Sequence, residues 1–342
     1  MKINNKKRKN CIKGILFAWL LLSIIVVLFS VFFFDGHSLK INVNKSINAG
    51  LFFLKKSQLA NGEIESLYCE NSKMENCKFE SATVPTILAL DALSYSQKQD
   101  SIDIIEKGAR FVLSQQGENG IWSYWAMGSK FFVNPDFDDT AVASRFFEEN
   151  KIKFKQNKEK FEKNPNGLYY TWLSGDELIK KTEIDPAVNA NILAYLKSDD
   201  KKVCDFINDV VKNERRRLFY YPDKQAFYYI ISKAYANGVT CLSESRDDMI
   251  NKTIAFKKED GSFGSNLQTA FSLATLLNYS FEKRDIVESG VRSLLKAQRK
   301  DGSWQIQTFY VTGIIDPILY FGSDELSTSI SIEVLERFLR SY

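Results

Sequence analysis

The chain is nearly without histidine: 342 residues contain one, His37. Its five cysteines include no closely spaced pair, so a tetrahedral zinc site has no ligand set. An Asp-Asp-x-x-Asp arrangement for magnesium is also missing, "DDMIN" at Asp247 being a poor match, so no metal or other cofactor is expected. Six prolines and 17 glycines exclude collagen-like and linker-rich chains. An excess of one charge is lacking as well. Lys2, Lys6, Lys7, Arg8, Lys9 and Lys13 crowd the start, and without these six the 46 basic residues become 40 against 42 acidic. A body of net charge near −2 offers nucleic acid nothing to bind. The lysines from Lys151 to Lys163 alternate with Glu148, Glu149, Glu159 and Glu162, which reads as a solvated helix face or loop.

What is present begins with an uncharged apolar run from Gly14 to Phe34, long enough to span a bilayer. The basic cluster before it belongs on the cytoplasmic side, which sends the rest of the chain into the periplasm or outside. A cleaved signal peptide is the rival, but "FSVFFFDGHS" has no small-x-small site. The expected division is a cytoplasmic flank over 1–13, a transmembrane anchor over 14–34, a linker over 35–44 and one domain over 45–342. In an oxidising compartment Cys69 pairs most economically with Cys77 and Cys204 with Cys241, bridges worth roughly 2.5 and 4 kcal/mol by loop closure. Four buried free thiols remain the alternative.

A phrase recurs through that domain: "FFLKKSQLANGEI", "RFVLSQQGENGIW", "IAFKKEDGSF" and "SLLKAQRKDGSWQ". Each is a helical stretch ending in a polar residue (Gln58, Gln116, Lys257, Gln298), then a glycine four residues on (Gly62, Gly120, Gly261, Gly302) and a large apolar residue soon after. This is a helix stop in which glycine turns left-handed and the following side chain folds back. Between Asp185 and Gly238 the phrase lapses while helix patterns continue. Ten to twelve helices and no convincing strand make an all-α protein of helix pairs wound round an axis, a single α/α toroid after one transmembrane helix.

Between the second and third copies lies "VNPDFDDTAVA", with Asp136, Asp138 and Asp139 in four positions at a helix start. Asp136 or Asp138 suits an N-cap, as does Thr83 before "VPTILALDALSYS", Asp185 before Pro186, and Ser323 or Asp324 further on. Asp185, Asn189 and Asn191 could also reach a common cavity. Trp122, Tyr124, Trp125, Phe131 and Phe132 precede the acids, and Trp172, Phe219, Tyr220, Tyr221, Phe227, Tyr228 and Tyr229 follow. Each is explained by core packing unless a cavity gathers them.

The phrase resembles the QW repeat of the terpenoid cyclase and prenyltransferase α/α-toroid superfamily, in which glutamine and aromatic stack to tie neighbouring helices. A QW repeat followed at once by Asp-x-Asp-Asp-Thr-Ala resembles the catalytic barrel of squalene-hopene-type class II cyclases. The resemblance covers most of 45–342. It implies proton-initiated cyclisation of a membrane isoprenoid, with Asp138 as the donor and Asp136 and Asp139 positioning it. Trp122, Tyr124, Trp125, Phe132, Tyr221 and Tyr228 would then face the cations. The chain departs from that family in having one barrel where the full enzymes close a second over the pocket, and in lacking the histidine that assists the acid. A dimer or the bilayer would have to seal the site. Two other classes stay open: a non-catalytic toroid binding lipid, peptide or glycan, and a carbohydrate-active enzyme pairing Asp138 or Asp139 with Asp185 or Asp176.

Overall fold

The computed structural model describes residues 37–131, 134–173, 184–214, 218–312 and 318–342. The chain divides into two units, Met1–Lys45 and Ser46–Tyr342, close to the expected start of the folded domain. The stretch expected as a linker is helical from 37 onward, in a helix that continues to 57 (α1). Among the described residues no helix is long and apolar enough to cross a membrane; the run over 14–34 lies outside them.

Ten further helices follow among the described residues: α2 (Thr83–Leu93), α3 (Gln99–Ser114), α4 (Phe137–Glu149), α5 (Pro186–Leu196), α6 (Lys201–Asn213), α7 (Lys224–Ala236), α8 (Arg246–Ala255), α9 (Asn266–Asn278), α10 (Arg284–Ala297) and α11 (Asp324–Ser341). Six of them close a ring. α2 packs on α4, α4 on α5, α5 on α7, α7 on α9, α9 on α11, and α11 returns to α2. These inner helices have neighbours on all sides, and their sequences show it: α2 buries every residue but Leu88, and α9 buries Leu267 and every residue from Thr269 to Asn278. Outside them, α3, α6 and α10 bury one stripe each, as Val287, Gly290, Val291 and Leu294 do on α10. Side chains cap five inner helices, namely Asp136, Asp185, Asp223, Ser265 and Ser323. Thr83 does not cap α2. That helix starts after Ala82, whose N–H donates to the buried Glu63 carboxylate at 2.8 Å.

No outer helix lies between α4 and α5 among the described residues. The lysine-rich stretch fills that place as a loop with one short 3-10 turn, Lys158–Lys160. Both disulfides, Cys69–Cys77 and Cys204–Cys241, are formed.

The repeated phrase has a common geometry. In each copy the glycine N–H donates to the carbonyl three residues back, as Gly120 to Gly117 at 2.8 Å and Gly302 to Arg299 at 3.0 Å. Gly302 has φ +94°, and a Cβ there would collide with the Ala49 carbonyl of α1, so both conformation and proximity demand glycine. The glutamines work through hydrogen bonds. Gln298 donates to Gly302 O (2.8 Å) and to Ser46 O (2.9 Å) while accepting from Ser46 Oγ, tying its own turn to the next outer helix. Gln116 links Gly120 and Lys155 in the same way, and Gln58 links Gly62 and Ile104. The residue after the glycine turn donates its N–H to an inner-helix hydroxyl: Ile64 to Thr86, Trp122 to Thr140, Phe263 to Thr269 and Trp304 to Thr328. Replacing Gln298 with Ala strands two carbonyls and is expected to cost about 1–2 kcal/mol; an unchanged urea midpoint would show that the tie between α10 and α1 contributes nothing.

A further copy escaped the sequence pattern. At "NPNGLYY", Gly167 N–H donates to Asn164 O, and Tyr169 N–H finds Asn189 where the others find threonine. Loss of the glutamine and of the hydroxyl hid it.

The expectation of no strands is corrected. Leu67–Cys69 (β1), Lys78–Phe79 (β2), Tyr310–Val311 (β3) and Tyr320–Gly322 (β4) form an antiparallel sheet in the order β2-β1-β4-β3. Strands of two or three residues carry no readable alternation, which is why the sequence conceals them.

Candidate active site

The N-terminal ends of the inner helices converge on a cavity of about 90 Å³ that opens to solvent at its mouth. Val84 from α2, the acids from α4 and Val188 from α5 line it, together with Tyr220 and Tyr221 from the segment before α7. The sheet lies over this end: Tyr310, Val311 and Phe321 complete the lining, and Val311 N–H donates to Tyr220 O at 2.9 Å. The cover that the sequence left to a dimer, the bilayer or a second barrel is thus supplied within the chain. Tyr310 and Phe321 stack with centroids 5.0 Å apart, and Tyr124 meets Tyr310 edge-on at the same distance. Trp125 packs against Phe321 at 5.8 Å. Aromatic walls with a few converging polar groups are the lining of a small-molecule site.

All three acids are buried. Asp136 Oδ1 accepts from Asp139 N–H at 2.7 Å, the N-cap of α4. Asp138 reaches further: Oδ2 accepts from Tyr221 Oη at 2.6 Å and Oδ1 from Asn191 Nδ2 at 2.7 Å. Burial raises the Asp138 carboxyl, opposed by these two donors. Burial and then the Asp138 charge push Asp136 up to about 8. Burial and the charges of Asp136 and Asp138 raise Asp139 well above the ordinary range. Both carboxyls are thus held toward their protonated forms.

The repeats inside the chain serve as a control on the motif. Asp136 caps its helix as Asp185, Asp223, Ser265 and Ser323 cap theirs, and Thr140 binds a turn as Thr86 and Thr269 do. Those two letters of the motif belong to the fold. The positions of Asp138 and Asp139 are taken by Val84 and Pro85 in α2, and by Ala187 and Val188 in α5. Nothing in the repeat requires acids there, and placing two in an apolar end of the barrel opposes folding.

The other expected residues divide. Tyr124, Trp125 and Tyr221 line the cavity, as do Trp172 and Tyr220. Trp122 does not: fully buried between helices, it donates its indole N–H to Val112 O at 2.8 Å and stacks on Phe147. Tyr228 also points elsewhere, its hydroxyl donating to Glu214 at 2.9 Å. Phe132 and Asp176 lie outside the described residues. Of the third polar cluster only Asn191 touches an acid. Asn189 is bonded to Tyr169, and Asp185 caps α5 through Ala187 and Val188 and holds Phe219 N–H at 3.2 Å. With its oxygens so engaged, Asp185 does not present a second carboxylate across an open groove, as a glycosidase needs. Tyr310, Phe321 and Thr171 were missed because short strands and a bridge bring them in, with no local pattern to mark them.

No protein-family model and no curated protein matches this sequence. Solved structures do. The type II terpene cyclase MstE from Scytonema is similar with a TM-score of 0.69 and 14% identity, over 89% of this chain and 99% of that one. A protein from Actinoplanes gives 0.67 and 13%, over 87% and 99%. The ent-copalyl diphosphate synthase from Streptomyces platensis gives 0.52 and 14%, over 75% of this chain and 50% of its own. The fold is the α/α toroid seen in the terpenoid cyclases, and the match spans nearly the whole of MstE.

Proposed function

We propose that the chain is a class II-type terpenoid cyclase: Asp138 protonates a carbon–carbon double bond of an isoprenoid, and the aromatic cavity guides the resulting cation through ring closure. The observation that carries this reading is Asp138, an acid the fold does not need, buried among Tyr124, Trp125, Tyr221, Tyr310 and Phe321. A free aspartic acid would have to spend roughly 4 kcal/mol to be protonated at pH 7. Burial offsets part of that cost by raising the Asp138 carboxyl, and the apolar walls limit the water that would quench a cation. Ring faces stabilise the positive charge as it migrates.

The likeness to MstE supports an isoprenoid, since that enzyme has been solved with geranylgeranyl dihydroxybenzoate as substrate and merosterolic acid A as product. The same reading places 14–34 in the membrane as an anchor with the barrel outside the cytoplasm, where a membrane-dissolved substrate is at hand. The disulfides Cys69–Cys77 and Cys204–Cys241 support an oxidising compartment.

In the reaction the acid's O–H electron pair stays on Asp138 while its proton goes to carbon, and a C–H at the final cation loses a proton to end the cascade. The product is an isomer of the substrate. Incubating the full chain in heavy water with geranylgeranyl dihydroxybenzoate is expected to give a cyclic isomer carrying one deuterium. Recovery of bound but unchanged probe would leave a binding module in place of a cyclase.

A further inference from the structure

We propose that Tyr221 and Asn191 act as a two-donor clamp on Asp138, holding its carboxyl in place and stabilising the carboxylate left when the proton departs. The claim rests on the cyclase reading for its catalytic half, but the clamp itself stands on geometry. Each Asp138 oxygen receives one donor, Oδ1 from Asn191 and Oδ2 from Tyr221, at 2.7 and 2.6 Å. The donors come from different directions, Asn191 from α5 across the ring and Tyr221 from the segment entering α7. Both are held. Tyr221 follows Phe219, whose N–H is fixed by Asp185, and Tyr220, whose carbonyl is taken by β3. Its ring meets Phe309 edge-on at 5.7 Å.

Among the described residues, the ionisable groups facing this carboxyl are Asp136 and Asp139 on α4, Asp185 at the start of α5, and Tyr221 itself. None is cationic. In the hopene-type pattern a histidine assists the acid; here a tyrosine with a hydroxyl pushed well above its ordinary range does so, by burial and by the Asp138 charge. It stays protonated across the working range and remains a donor. Neutral donors bind a carboxylate more strongly than a carboxylic acid, so the clamp strengthens as the proton leaves. It lowers the barrier and not the ground state. Tyr221 and Asn191 are positioning residues in this sense.

The test uses the full chain and the variants Tyr221→Phe and Asn191→Leu, with Asp138→Asn to identify the Asp138 carboxyl band in infrared spectra. Losing one donor to the charged form should move the titration of that band upward by about 1–2 units. With geranylgeranyl dihydroxybenzoate, kcat should fall about 10²-fold with little change in KM. A band that titrates where it does in the unaltered protein, in both variants, overturns the clamp. So does a rise in KM with kcat preserved. Absence of turnover in the unaltered chain would count against the cyclase reading alone, because the band still reports on the clamp. Should Tyr221→Phe fail to fold, Asn191→Leu keeps the same two readouts.

Discussion

Asp138→Asn is expected to reduce cyclisation by about 10⁴-fold or more while leaving the barrel folded. An amide has no proton acidic enough for an alkene, and a positioned general acid accounts for roughly 10²–10⁴-fold even where solvent can substitute for it. Solvent is a poorer substitute here, because Tyr124, Trp125, Tyr310 and Phe321 wall the site. The amide matches the carboxyl in shape, and no turn or cap depends on Asp138, so thermal stability should hold or rise. Asp136→Asn and Asp139→Asn should cost less, about 10²-fold, since they act on the acid through their charge. Activity should persist at low pH and fall as pH climbs past about 8, where Asp136 ionises beside Asp138. Stability follows the same sign: a carboxyl raised in the fold contributes below its ordinary value, and the contribution is lost as pH rises through the folded one. Residual turnover above one tenth in Asp138→Asn, read by product isomer per hour, would remove this acid from the chemistry.

The helices were legible because they repeat. Glycine turns at Gly62, Gly120, Gly261 and Gly302 recur with the same neighbours, and the stripe on α10 or the all-round burial of α9 follows from hydrophobic spacing. What joins distant segments was not legible. β4 is three residues long and pairs with β1 some 250 residues earlier, a relation no local window contains, and the two-residue β3 joins the sheet only through β4. The acids show the same division within four positions. Asp136 was readable as a cap, and Thr140 as part of a repeat only once Thr86, Thr269 and Thr328 were seen in the same role. That Asp138 meets Tyr221 and Asn191 depends on α4, α5 and α7 closing a ring. Trp122 and Tyr228 were misjudged for the converse reason: an aromatic beside an acid in sequence can face the other side of its helix or turn.

The opposite end of the barrel carries the largest expected effect on stability. Asp91 on α2 receives Arg145 of α4 and Lys233 of α7, each at 2.7 Å. Lys233 also reaches Glu333 of α11 at 3.5 Å, and Arg337 pairs with Glu333 at 3.1 Å. Four of the six inner helices are thus joined by buried charges near their C-terminal ends, where cations complement the helix dipoles. Burial alone would raise Asp91, but Arg145 and Lys233 outweigh it and hold the carboxyl at about 2. Its contribution is therefore intact at neutral pH and is lost only as acid takes the solution below about pH 4 toward 2. Asp91→Leu leaves buried Arg145 with only Glu149 (3.0 Å) and Lys233 with only the more distant Glu333 (3.5 Å), and is expected to cost about 3–5 kcal/mol. That is a large part of the stability of an ordinary domain. Replacing all three, with Asp91→Leu, Arg145→Met and Lys233→Met together, removes the stranded charges and should recover most of the loss, since Glu333 keeps Arg337. Urea denaturation of the single and triple variants decides it: a single-variant loss under about 1 kcal/mol, or a triple variant no better than the single, would mean that the buried charges do not hold this end of the ring.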